Sequence, residues 1–110
     1  MNIQITESNN FAIVSVEGRI DITNAIEFEK KMIEIIEEGH SRIILDCSEL
    51  QYISSSGLRV LLAVRKKISS LNGMFRLCTL QPLLIEIFNI SGFSSIFSVF
   101  IDKKTAMIEL

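Results

Sequence analysis

The chain has 110 residues, of which 48% are hydrophobic and 22% charged, and a formal net charge of −2. That length holds one domain with one core, and that composition folds rather than staying disordered. The acidic balance argues against a duplex-binding role, since the nearest thing to a basic stripe is Arg65-Lys66-Lys67, which reads as a solvated helix face.

Met1-Asn2-Ile3-Gln4-Ile5-Thr6-Glu7 has neither the basic start nor the apolar run of a signal peptide. No apolar run approaches the ~18 residues of a membrane helix. A cytoplasmic, soluble protein without membrane insertion is expected. Ile3 and Ile5 alternate with polar residues, as in a half-buried strand. Glu7 to Asn10 form a turn, and Phe11 to Glu17 a second strand. So short a connection implies an antiparallel hairpin. Gly18 then breaks the strand, and Arg19-Ile20-Asp21-Ile22 leads to Thr23 and Asn24. Either can cap the next helix, with Glu27 in reach of a capping-box role. That helix is predicted over about Ala25 to Glu38, with Phe28, Met32, Ile35 and Ile36 on its buried face. Gly39 stops it. His40, the one histidine, lies just past the end and reads as a surface residue rather than a catalyst.

Arg42 to Asp46 is a continuous apolar strand, the kind buried on both faces of a parallel sheet. The connection from Cys47 to Ser55 exceeds the ~2–6 residues usual for a strand-to-helix loop. Leu50, Tyr52 and Ile53 would pin it to the body. Extra length at the carboxyl end of a parallel strand is where ligands and partners are met. The next helix is predicted over about Ser56 to Leu71, with Val60, Leu61, Val64, Ile68 and Leu71 toward the sheet. Leu58 and Leu62 run along a neighbouring line, as the edge of a wide core face or as a partner contact. Asn72-Gly73 ends the helix, and Met74 to Cys78 form a strand. Pro82 opens a helix that carries Leu84, Ile87 and Phe88 inward and stops at Gly92. A last strand falls within Ser95 to Ile101, and Asp102 caps a short helix containing Ala106 and Met107. Phe88, Phe93, Phe97 and Phe100 read as core packing under that final unit. Cys47 and Cys78 form no CxxC pair and serve as small apolar side chains at strand ends. The fold class is therefore α/β: one domain over residues 1–110, a mixed, mostly parallel sheet of about five strands with an N-terminal antiparallel hairpin, and about four helices.

Few residues offer chemistry. No G-x-S-x-G elbow surrounds the serines, and no glycine-rich nucleotide cradle is present. An enzyme is not expected, nor any metal or cofactor. The informative stretch is Ser54-Ser55-Ser56-Gly57-Leu58-Arg59. Small polar residues pass straight into an apolar helical pattern, which marks a helix N-terminus. Its unpaired N–H groups and partial positive charge favour added negative charge, such as a phosphoryl group on a hydroxyl held there. Ser54 or Ser55 can cap this helix, which leaves Ser56 in its first turn. Gly57 removes a side chain beside it and permits close approach. Arg59 opposes the helix dipole, and would suit a phosphate if folded back or lie in solvent to no effect.

Asp46 to Leu62 resembles the signature of STAS domains, specifically the bacterial anti-sigma factor antagonists, and Gly18-Arg19-Ile20-Asp21 resembles that family's turn after its second strand. The resemblance implies partner switching. The unmodified antagonist binds an anti-sigma factor that is also a serine kinase; phosphorylation by that kinase releases it, and a phosphatase resets it. By motif the acceptor falls on Ser56, with Ser55 as second candidate. Asp21, Ser54, Ser55, Gly57, Leu58 and Arg59 fall on the partner-binding surface. One departure stands out: many phosphorylated members carry aspartate where this chain has Ser54. Two rivals stay open, a STAS scaffold that is never phosphorylated, such as a subunit of a lipid transporter, and a small hydrolase using Ser56.

Overall fold

The computed structural model describes residues 1–108. Two asparagines in the left-handed region, Asn9 (φ 52°) and Asn10 (φ 66°), turn strand β1 (Asn2–Ser8) into strand β2 (Phe11–Ile20). Asparagine tolerates that conformation better than most residues, and a two-residue turn of this kind matches the twist of a hairpin. The antiparallel register runs unbroken from Ser8↔Phe11 to Asn2↔Glu17.

Strand β2 organises the sheet. Its first half, Ala12 to Ser15, pairs in parallel with β3 (Arg42–Asp46). Its second half, Gly18 to Ile20, pairs in parallel with β4 (Leu50–Ile53). The register shifts between Gly18 and Arg19, where Gly18 adopts φ 103°. Gly18 is thus not the end of the strand, as its type suggests; it stands where β2 changes partner from β3 to β4, and the register slip is taken up by Gln51, the extra residue in β4. With β5 (Met74–Cys78) and β6 (Ser98–Phe100), the order is β1-β2-β3-β5-β6, and β4 stands off this path on β2. The sheet therefore has six strands rather than about five, because the stretch expected to be a pinned loop contains β4.

Four helices follow the expected pattern: α1 (Ala25–Glu37), α2 (Ser55–Ser70), α3 (Pro82–Ser91) and α4 (Lys103–Ala106), with a 3-10 turn over Phe93–Ser95. Phe28, Met32, Ile35 and Ile36 of α1 and Val60, Leu61, Val64 and Ile68 of α2 bury against Val14, Val16, Ile43, Leu45 and Leu77 of the sheet. Phe88, Phe93 and Phe97 close the same core with ring centroids 5.9–6.4 Å apart. Leu71 is exposed rather than part of the stripe, because it is the C-cap of α2. Among the described residues no helix is long and apolar enough to cross a membrane.

The other face carries a smaller cluster of Phe11, Ile13, Ile44 and Cys78 under Ala106, with Phe100 against it rather than with the other phenylalanines. Arg76, only 8% exposed, ties α4 down: one guanidinium nitrogen donates to Ala106 O and Ile108 O, both at 2.7 Å. Its charge lies 5.3 Å from the Phe100 ring centroid, a cation–π distance. Buried Asp46 accepts from Ser15 Oγ (3.3 Å) and Ser48 N (3.0 Å), and lies 3.8 Å from Lys103 Nζ on α4. Cys47 and Cys78 are free and buried at strand ends, in opposite clusters.

Candidate functional site

The serine run enters α2 as a capped N-terminus. Ser54 takes extended backbone angles (φ −83°, ψ 173°), and its Oγ accepts from Gly57 N at 3.2 Å. Of the two cap candidates it is Ser54 that caps, so α2 begins at Ser55, one residue earlier than its pattern suggests. Ser55 is exposed and Ser56 half-buried. Neither hydroxyl makes a side-chain hydrogen bond among the described residues. The first turn holds no acidic residue, so the positive end of a 16-residue helix is not neutralised from within.

Gly57 is buried and faces inward. A Cβ there would lie 2.6 Å from Ile53 Cγ1 and 2.8 Å from Ile20 Cγ2. The missing side chain lets α2 sit directly on the ends of β2 and β4, and so fixes where Ser56 stands; the open approach expected beside Ser56 is instead filled by the protein's own isoleucines. Leu58 is 7% exposed and belongs to the main core, which favours the packing reading over an open contact. Arg59 is exposed and has no polar or charged partner among the described residues.

The turn after β2 docks beside this helix start. Ser54 N donates to Ile20 O at 2.8 Å, and Gly18 N to Glu49 O at 2.9 Å. Asp21 follows at once. Its carboxylate accepts from Thr23 N (2.9 Å) and from the Thr23 hydroxyl. Those two bonds, with Arg19 nearby, hold it below the usual carboxylate range. Asn24 is the N-cap of α1, but its side chain does not cap; it accepts from Asp21 N and donates to Arg19 O, both at 2.9 Å. The capping roles expected of Thr23 and Glu27 give way to this Asp21–Thr23–Asn24 turn.

Sequence reasoning missed two features. Arg19 and Tyr52 are register partners, and the Arg19 guanidinium lies 4.5 Å from the Tyr52 ring centroid. Tyr52, Ser55, Leu58, Ile87 and Ile90 also line an open apolar groove of about 310 Å³ between the start of α2 and α3. Ile90 is almost fully exposed, as are Ile22 and Ile26 beyond the Asp21 turn. The one signal in the sequence was isoleucine at the polar-side positions of α1 and α3.

Residues 2–106 match the family model described as the STAS domain. The chain belongs to the STAS domain family. Among its relatives, BtrV of Bordetella bronchiseptica, which carries the name of an anti-sigma factor antagonist, is 36% identical over 96% of this chain and 91% of its own length. The anti-sigma-B factor antagonist of Bacillus subtilis is 28% identical over 90% of each chain. An anti-sigma factor antagonist from Mycobacterium paratuberculosis superposes with a TM-score of 0.87 at 20% identity, covering 96% of this chain and 90% of that one. Bacillus SpoIIAA, solved in a phosphorylated form, superposes with a TM-score of 0.72 at 18% identity, covering 96% of each. In this STAS domain the Asp21 turn follows β2 and the serine run follows β4, both at carboxyl ends of strands paired in parallel, with the groove beside them between α2 and α3; such ends are where α/β sheets meet their ligands.

Proposed function

We propose that this STAS domain is an anti-sigma factor antagonist whose affinity for its partner, an anti-sigma factor acting as a serine kinase, is switched by phosphorylation of Ser56. The observation that carries this reading is the first turn of α2. Ser56 offers a half-buried hydroxyl with no side-chain hydrogen bond among the described residues, at a helix start with no acid in its first turn. Relatives named as anti-sigma factor antagonists align with nearly the whole chain.

The physics of the switch is local. Phosphorylation adds about −1.5 to −2 charge at neutral pH. The helix end stabilises that charge, so the domain stays folded. A partner surface fitted to a neutral hydroxyl would instead bury an unpaired dianion. Asp21, kept ionised by Thr23, adds repulsion from the adjoining turn. Exposed Ile22, Ile26 and Ile90 supply apolar area for docking around the same segment. A phosphatase completes the cycle. The chain serves as substrate, and the partner brings ATP.

The test is incubation with the cognate anti-sigma factor and ATP, followed by mass mapping. One phosphate on Ser56, lost in Ser56→Ala, is expected. Modification of Ser55 alone would move the switch by one residue, and no modification would leave an unswitched binding module.

A further inference from the structure

Strand β1 is the margin of the sheet, paired among the described residues with β2 alone. Exposed edges are ordinarily blunted by lysine, proline, a bulge or a covering element. Strand β1 reads Asn-Ile-Gln-Ile-Thr-Glu-Ser, with Glu7 its one charge, no bulge in its register, and Ile5 42% exposed. We propose that this edge pairs with the same edge of a second copy of the chain, antiparallel and centred on Ile5.

The backbone sets the register. The two-residue Asn9-Asn10 turn makes Ser8↔Phe11 a hydrogen-bonded pair. Asn2, Gln4, Thr6 and Ser8 therefore direct their backbone groups to β2, while Ile3, Ile5 and Glu7 direct theirs outward. A two-fold axis at Ile5 matches outward residue to outward residue: Ile5 with Ile5 of the second copy, and Ile3 with its Glu7. Gln4 meets Thr6 and Asn2 meets Ser8, so no like charges stand opposite each other.

Side chains agree with that register. Ile3, Ile5 and Glu7 lie opposite Val16, Val14 and Ala12, on the face covered by α1 and α2. Glu7 of the second copy thus arrives beside Ile3, at a groove lined by Asn2, Ile3, Glu27, Lys30, Lys31 and Glu34. Lys30 and Lys31 offer it the opposite charge, with Glu27 and Glu34 to either side, and the contact repeats by symmetry. Within its own chain Glu7 is 76% exposed, 3.7 Å from His40 Nδ1. Strand β1 contributes no residue to the serine site, so this surface is independent of the switch.

Sedimentation equilibrium of the full chain from about 1 μM to about 1 mM tests the proposal. The wild type is expected to show a monomer–dimer equilibrium. Ile5→Lys sets two ammonium groups together on the axis and should weaken dimerisation at least tenfold, with an unchanged circular dichroism spectrum. Glu7→Lys, at an exposed position, should weaken it as well, and Lys30→Glu with Lys31→Glu in the same chain should restore it. A wild type that stays monomeric to about 1 mM overturns the proposal, as does a dimer that Ile5→Lys leaves intact. If Ile5→Lys fails to fold, Glu7→Lys decides: an unchanged dissociation constant overturns the pairing.

Discussion

Gly57 shows how a single residue can position the serine run from beneath. Its absent side chain is filled by Ile53 and Ile20, so Gly57→Ala must push one of them or lift the start of α2. Overpacking of this kind costs about 1–3 kcal/mol, which urea unfolding will read as a lower midpoint at an unchanged slope. Stability equal to wild type would show that the isoleucines yield freely. Asp21 carries a pH signature. Its carboxyl sits below the ordinary value of 3.8 because the folded state gives it the Thr23 hydroxyl and N–H, Arg19 and the Asn24 N–H. A depressed folded pKa contributes stability that is present above the ordinary value and lost as pH falls through the lower one. An NMR titration should place the Asp21 midpoint below 3.8, and Thr23→Val should raise it. A wild-type midpoint at or above that value would mean the turn is not formed in solution. Cys47 titrates the other way: burial first, then Cys78 and Asp46, push its thiol up. Both cysteines should resist a water-soluble thiol reagent at pH 8 and react on unfolding; labelling of the folded chain would contradict the packing at these strand ends.

At the scale of elements, what could be read from the sequence was what local patterning specifies. The run Ser54-Ser55-Ser56 ahead of Leu58, Val60 and Leu61 marks a helix start wherever it occurs, and α2 begins within one residue of expectation. Strand β4 was not legible, because four residues, Leu50–Ile53, are too short for alternation to speak and their partner on β2 lies some thirty positions earlier in the chain. Gly18 misled for the same reason: a glycine inside a strand and one at its end look alike until the second partner is known. The Arg19–Tyr52 stack depends on that pairing, so it too was hidden. Arg76 did give a signal, as a cation in the apolar run Met74–Cys78, but the acceptors that explain it are on α4. Arg76→Met should leave the Ala106 and Ile108 carbonyls without their donor, at about 1–3 kcal/mol for a buried acceptor. Amide exchange within residues 103–108 should quicken while β2 and β3 stay protected. Unchanged exchange there would show that α4 is held by its apolar contacts alone.

The whole molecule is layered unequally. Helices α1, α2 and α3 pack into the large core on one face of the sheet, while α4 covers a small cluster on the other. The α/β class, the N-terminal hairpin and the order of helices were legible, since alternating strand and helix patterns along one chain allow few arrangements. The unequal faces were not, because strands buried on both sides read alike whatever covers them. This layout supports the start of α2 from beneath and leaves Ser55 exposed and Ser56 half-buried, an arrangement that suits the proposed charge switch. The decisive measurement is calorimetric titration of the cognate anti-sigma factor into the unmodified chain and into the chain phosphorylated on Ser56, with thermal unfolding of both. The account predicts roughly 100-fold or greater loss of affinity on phosphorylation, with the fold and its cooperative melt retained. Equal affinity of the two forms, or a loss of binding that accompanies unfolding, would contradict it.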